Sequence, residues 1–150
     1  MTAGDMVALG VAGRQRALVV QPTPEFIASE SHIQSWMVLA GGLTVTFLGD
    51  GRSNMAQSYV LACATAGIHI RVASPADFAP DEDVVKDADA IAAQTGGSVA
   101  LFTDPLEAVA GVDVVVTDTW VSMGKEDEKA ERLTRFGQYQ VNAELMGLAK

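Results

Sequence analysis

The sequence predicts an α/β fold: a three-layer, Rossmann-like domain with a parallel sheet of four or five strands. From residue 43 onward, short apolar runs rich in β-branched residues alternate with longer segments of helical spacing. Such alternation is typical of a parallel sheet covered by helices on both faces. The chain has 150 residues, of which 49% are hydrophobic, so it can bury a sizeable core.

The first half of this pattern contains two strand–helix units. "LTVTFL" (43–48) predicts a buried strand, and "SNMAQSYVLACATAG" (53–67) predicts a helix that stops at its final glycine. "IHIRVAS" (68–74) predicts the second strand. "PDEDVVKDADAIAAQTGG" (80–97) predicts the second helix, because acidic residues crowd its first turn and two glycines follow its last one.

The second half repeats the pattern with shorter elements. "SVALFT" (98–103) predicts the third strand, and "DPLEAVAG" (104–111) a short helix with Asp104 as N-cap and Pro105 in first position. "VDVVVTD" (112–118) predicts the fourth strand, and "EDEKAERLTRF" (126–136) a charged, exposed helix. Upstream, residues 17–21 could form a fifth strand and residues 24–41 a further helix.

Composition excludes several classes of function. A formal net charge of −9 argues against nucleic acid and anionic membranes, which both require a basic face. No segment approaches the roughly 20 apolar residues needed to span a bilayer. A single cysteine, Cys63, in a helical pattern favours a reduced, buried thiol and a cytoplasmic protein. His32 and His69 have no partners at metal-ligand spacing, so we expect no metal site.

Polar residues follow two of the predicted strands. "GDGRSN" (49–54) leaves the first strand and enters a helix, whose free N–H groups suit a carboxylate or phosphate. Asn54 stands where a dinucleotide fingerprint needs its third glycine, so we expect no nucleotide cofactor. Asp118 ends the fourth strand and could hold an amine. In purely structural roles, Asn54 would cap the helix and Asp118 the following turn. Since ligands bind at the carboxyl ends of parallel strands, both loops lie on one edge.

Three segments together resemble the ornithine-binding domain of ornithine carbamoyltransferases. They are residues 43–75, "FTDPLEAVAGVDVVVTDTW" (102–120) and "TDTWVSMGKEDEKAERLTRFGQYQVN" (117–142), with D-x-W-x-S-M-G as the characteristic run. The resemblance divides the chain into residues 43–150 and an unmatched segment, 1–42. It implies that Asn54 contacts the α-carboxylate of L-ornithine and Asp118 its α-ammonium. It also implies that Ser122 and Met123 line a loop closing over the ligand, without any cofactor.

The same resemblance implies what these 150 residues lack. The family converts carbamoyl phosphate and L-ornithine into citrulline and phosphate, as in arginine biosynthesis, and its S-T-R-T and H-C-L-P segments do not occur here. We therefore assign no catalytic residue and expect at most weak ornithine binding, with exposed apolar surface favouring a homo-oligomer. Three interpretations stay open: a truncated, inactive binding domain, an engineered or chimeric fold without ligand, and an active enzyme completed by another chain.

Overall fold

The described part of the protein, residues 42–121 and 126–150 of a computed structural model, is built around a parallel sheet. Its four strands pair in the order β3-β2-β1-β4. They are β1 (Thr44–Leu48), β2 (His69–Ala73), β3 (Ser98–Phe102) and β4 (Val114–Thr117). These confirm the four predicted strands. The possible fifth strand at 17–21 and the helix at 24–41 lie outside the described residues.

The four helices predicted after residue 43 follow the strands in the expected order, and a fifth short helix comes after them that was not predicted. They are α1 (Asn54–Thr65), α2 (Glu82–Thr95), α3 (Pro105–Val109), α4 (Lys129–Phe136) and α5 (Ala143–Met146), with 3-10 turns at Ala76–Phe78, Glu126–Glu128 and Gly137–Tyr139. Local signals set several of their ends. The Asp104 side chain accepts from the N–H of Leu106 at 2.8 Å and caps α3, as predicted. Gly96 ends α2 in the left-handed conformation, with φ of 86°, which costs glycine little.

Two apolar clusters lie on opposite faces of the sheet, because successive side chains of a strand point to opposite sides. The first cluster joins the sheet to α1 and α2, and its buried members include Val45, Phe47, Val60, Ile70 and Ala88. The second joins the sheet to α3, α4 and α5, and includes Leu48, Val109, Val115, Phe136 and Leu145. The arrangement is therefore three layers of helix, sheet and helix, as the alternating pattern predicts.

Within residues 42–121 and 126–150, no helix is both long enough and apolar enough to cross a membrane.

Candidate functional site

The strand order brings two distant loops together at one edge of the sheet. β1, β2 and β3 follow one another outward, whereas β4 returns to the other side of β1. Leu48 and Thr117, which end β1 and β4, are register partners, and the Thr117 hydroxyl donates to the Leu48 carbonyl at 2.9 Å. This reversal of strand order is a topological switch point between β1 and β4, and open parallel sheets bind ligands in the crevice at the carboxyl ends of such strands.

The loop after β1 packs tightly against the loop after β2. A Cβ atom added at Gly51 would lie 2.6 Å from the Phe78 carbonyl oxygen and 2.8 Å from Pro80 Cδ. Both neighbours belong to backbone or a proline ring, so neither can move aside easily. Gly51 is therefore required for the close approach of the two loops, rather than for an unusual backbone angle.

The start of α1 presents unused hydrogen-bond donors at this edge. Ser53 is the N-cap, and its hydroxyl accepts from the N–H of Ala56 at 3.1 Å. The structural role suggested for Asn54 as the cap is thus wrong, because Asn54 is already the first helical residue and is exposed. Among residues 42–121 and 126–150, the N–H groups of Asn54 and Met55 find no acceptor. A free helix N-terminus of this kind attracts anions.

Asp118 directly follows β4, at the same edge of the sheet as the start of α1. Its side chain is half-buried, and one carboxylate oxygen accepts from the N–H of Thr119 at 2.7 Å. In the part of the chain that the structure describes, it forms no ion pair. Burial raises the pKa of Tyr59 on α1, and the charges of Cys63 and Asp118 raise it further. The Asp118 carboxylate therefore lies near enough to the Tyr59 hydroxyl for its charge to affect the pKa of that group.

Arg132 on α4 contacts the loops around this edge. Its side chain is only 11% exposed and pairs with Asp50 at 2.7 Å and with Glu128 at 2.8 Å. The hydrogen bonds that Arg132 donates to the Asp50 and Glu128 carboxylates raise the pKa of its guanidinium. The prediction of a charged, exposed helix at 126–136 is therefore wrong on one face, since both Arg132 and Phe136 are buried.

Comparison with known proteins identifies the family. Residues 41–150 match the family described as aspartate/ornithine carbamoyltransferase, Asp/Orn binding domain. The chain belongs to this family. An ornithine carbamoyltransferase of Clavibacter michiganensis subsp. michiganensis is 68% identical over 105 residues, which are 70% of this chain and 34% of that protein. The corresponding protein of Leifsonia xyli subsp. xyli is 62% identical over 108 residues, 72% of this chain and 35% of the relative.

Solved structures of ornithine carbamoyltransferases have the same fold. The enzyme from Pyrococcus furiosus superposes with a TM-score of 0.71 at 39% identity, over 79% of this chain and 39% of that one. The enzyme from Gloeobacter violaceus gives a TM-score of 0.65 at 40% identity, over 74% and 35% of the two chains. The chain thus spans about a third of the length of the curated relatives it matches.

The carbamoyltransferase domain brings some of the predicted site residues together and leaves others undescribed. Asn54 is the first residue of the helix that follows β1, and Asp118 comes directly after β4, so both follow adjacent strands at the same edge. Ser122 and Met123 lie outside the described residues, as does His32. Asp50, Tyr59 and Arg132 are site neighbours that the sequence interpretation missed. The spacing of Arg132 four residues before Phe136 was a usable signal, because it places both on one helix face.

Cys63 and His69, two further reactive side chains of this domain, have contacts typical of structural residues. Cys63 is buried in α1, as predicted, and burial raises the pKa of its thiol to about 12. His69 contacts the Ser98 hydroxyl at 2.9 Å between β2 and β3. Within residues 42–121 and 126–150, no three His, Cys, Asp or Glu side chains are placed to hold a metal ion.

An open cavity of about 460 Å³ lies apart from Asn54 and Asp118. It runs between the start of α3 and the C-terminal turns, and is lined by Thr103, Asp104, Pro105, Leu106, Gln138, Asn142, Glu144 and Leu145. Its shape is that of a surface groove between packed elements, and it shares no residue with the β1–β4 edge.

Proposed function

We propose that this domain binds L-ornithine at the β1–β4 edge, as the amino-acid-binding part of an ornithine carbamoyltransferase, and that it has no turnover alone. The observation that supports the proposal is Asp118. It is a half-buried carboxylate with no ion pair among the described residues, and it lies on the edge where α1 presents free N–H groups. The strong sequence similarity to named ornithine carbamoyltransferases directs the choice of ligand.

The charges of this edge are complementary to an α-amino acid. A carboxylate at the end of β4 attracts the α-ammonium, and the positive end of the α1 dipole attracts the α-carboxylate. In this pose Asp118 binds the ammonium and Asn54 lies on the carboxylate side. Ser122 and Met123 follow Asp118 closely in sequence, and we place them on the loop that covers the ligand.

Carbamoyl transfer requires preorganised positive groups that residues 42–121 and 126–150 do not provide at this edge. Carbamoyl phosphate carries about two negative charges and needs preorganised donors. Arg132 is already paired with Asp50 and Glu128, whereas Arg52 is exposed on the loop after β1. Each missing donor would cost roughly 3 kcal/mol of transition-state stabilisation. A second chain carrying those donors would complete the enzyme, in line with the matched residues making up only 34% of the Clavibacter michiganensis relative.

The proposal is tested by titrating the full chain with L-ornithine in a calorimeter, and in parallel by thermal shift. Asp118→Asn should weaken binding by about 1.5–3 kcal/mol, the range for a hydrogen bond to a charged group, with little change in melting temperature. Asp87→Asn, which removes an equal charge from an exposed position on α2, is the matched control and should leave binding unchanged. 1,4-Diaminobutane, which lacks the α-carboxylate, should bind more weakly than ornithine.

Other outcomes identify the competing interpretations. If wild type gives neither heat nor thermal shift at millimolar ornithine, the binding proposal fails and a fold without ligand remains. If Asp118→Asn lowers stability by roughly 1 kcal/mol and leaves ligand binding unchanged, Asp118 serves only the turn at Thr119. Citrulline formation by the chain alone, from ornithine and carbamoyl phosphate, would refute the absence of turnover.

A further inference from the structure

Arg132 contacts segments that follow three different strands. Its guanidinium donates to the Asp50 carboxylate at 2.7 Å, in the loop after β1, and to the Trp120 carbonyl at 3.2 Å, in the loop after β4. Its Cζ atom lies 5.5 Å from the ring centre of Phe78, in the segment after β2. A planar group with five donors can make these contacts at once, whereas a lysine ammonium cannot.

Asp50 connects Arg132 to the start of α1 through further hydrogen bonds. The second Asp50 carboxylate oxygen accepts from the N–H of Arg52 at 3.0 Å, and the Asp50 carbonyl accepts from the N–H of Ser53 at 3.1 Å. Ser53 in turn caps α1, as described above. Arg132 therefore fixes the turn that sets the position of the first N–H groups of α1.

The contact with Trp120 acts on the other side of the crevice. Trp120 lies two residues after Asp118, and its ring packs at 6.1 Å from that of Phe136 on α4. Only Thr119 separates Asp118 from Trp120. The hydrogen bond from Arg132 to the Trp120 carbonyl therefore restricts the positions that the Asp118 carboxylate can occupy. The buried Arg132 side chain thus connects the loop after β1, through Asp50, to the loop after β4, through Trp120.

We propose that Arg132 is a positioning residue for the amino-acid site, which holds the loops after β1 and β4 at a fixed distance without touching the ligand. The ligand part of this inference rests on the proposed function, whereas the loop part does not. Arg132 positions the loops rather than binding an anionic ligand, because its charge is already paired with Asp50 and Glu128.

Arg135 offers a matched control on the same helix. It also stacks near Phe78, at 5.4 Å, and it pairs with Asp77 after β2. Its side chain is 40% exposed, however, and among residues 42–121 and 126–150 its ion pairs do not reach the loops after β1 or β4. Arg135→Gln therefore removes an arginine of α4 without removing the connection between the two loops.

The experiment measures hydrogen–deuterium exchange of the full chain, residue by residue, in Arg132→Gln, Asp50→Asn and Arg135→Gln. We expect the amides of Arg52 and Ser53, and those of residues 118–121, to exchange roughly tenfold to hundredfold faster in the first two variants. Amides of β1 and β2 should keep their protection. In the same variants the Kd for L-ornithine should rise by roughly tenfold or more, and Arg135→Gln should change neither quantity.

Several results would overturn the inference. These are unchanged loop exchange in Arg132→Gln, an equal effect of Arg135→Gln, or loosened loops with an unchanged ornithine Kd. If Arg132→Gln loses protection throughout the sheet, Asp50→Asn decides, because it keeps the side-chain shape and leaves the contacts of Arg132 with Trp120 and Phe78 in place. If wild type binds no ornithine, the proposed function fails, while the exchange rates still decide whether Arg132 positions the loops.

Discussion

Replacing Gly51 by alanine should destabilise the protein through one well-defined clash. The new Cβ would lie 2.6 Å from the Phe78 carbonyl oxygen and 2.8 Å from Pro80 Cδ, whereas ordinary contacts begin near 3.4 Å. The loops after β1 and β2 must then separate by several tenths of an ångström. Overpacking of this kind costs about 1–3 kcal/mol. For a domain of this size, 2 kcal/mol corresponds to a melting temperature lower by roughly 8 °C.

Gly137→Ala is the matched control for this substitution. Gly137 follows α4 with φ of −52° and ψ of −39°, which alanine adopts without strain, and no atom lies within 4 Å of its added Cβ. The same chemical change should therefore stabilise the protein by about 0.4–1 kcal/mol. Thermal unfolding followed by circular dichroism measures both variants. A Gly51→Ala protein that melts at or above the wild-type temperature would refute the close packing of the two loops.

Three further predictions concern the core and the surface. Because the pKa of Cys63 rises from 9.0 to about 12 on folding, the native state holds its proton longer, and stability should fall as pH rises from 9 to 12. Cys63→Ala should flatten that slope in denaturant unfolding, and an unchanged slope would contradict the buried thiol. Tyr139→Phe should cost about 1 kcal/mol, because the Tyr139 hydroxyl donates to the Thr103 carbonyl at 2.8 Å, and equal midpoints in urea would refute this. We expect the chain to self-associate through exposed leucines such as Leu101 and Leu106, with light scattering at rising concentration as the measurement; a constant monomer mass would exclude it.

Local elements could be predicted from the sequence because their signals are local. The four strands are apolar runs, and the start of α3 at Asp104 and the end of α2 at Gly96 are set by side chains within one turn. The Cys63 thiol, too, was predicted to be buried from its helical context. The pairing order was not predicted, because four similar apolar runs do not show which of them lie side by side. That order is what makes Asp118 a neighbour of the loop after β1.

The missed part of the site depends on contacts between distant segments. Arg132 stands in a run of charged residues, which is typical of a solvated helix face, and only the fold brings Asp50 to it from 82 positions away. Ser53 rather than Asn54 caps α1 because the turn at Asp50 ends one residue earlier than the pattern suggested. Both differences arise from the loop after β1, whose shape depends on contacts with distant segments as well as on its own residues.

The return of β4 to the side of β1 also has a consequence for synthesis of the chain on the ribosome. β1 pairs with β2 and β2 pairs with β3, so these three strands can assemble as soon as residue 102 has left the exit tunnel. The contacts that close the crevice join residues 69 positions apart, such as Thr117 with Leu48, and they must wait for β4. A nascent chain stalled after β3 would thus contain three of the four strands and no crevice. Ligand affinity measured along a series of stalled lengths would therefore rise in one step, marking the moment when the last strand docks.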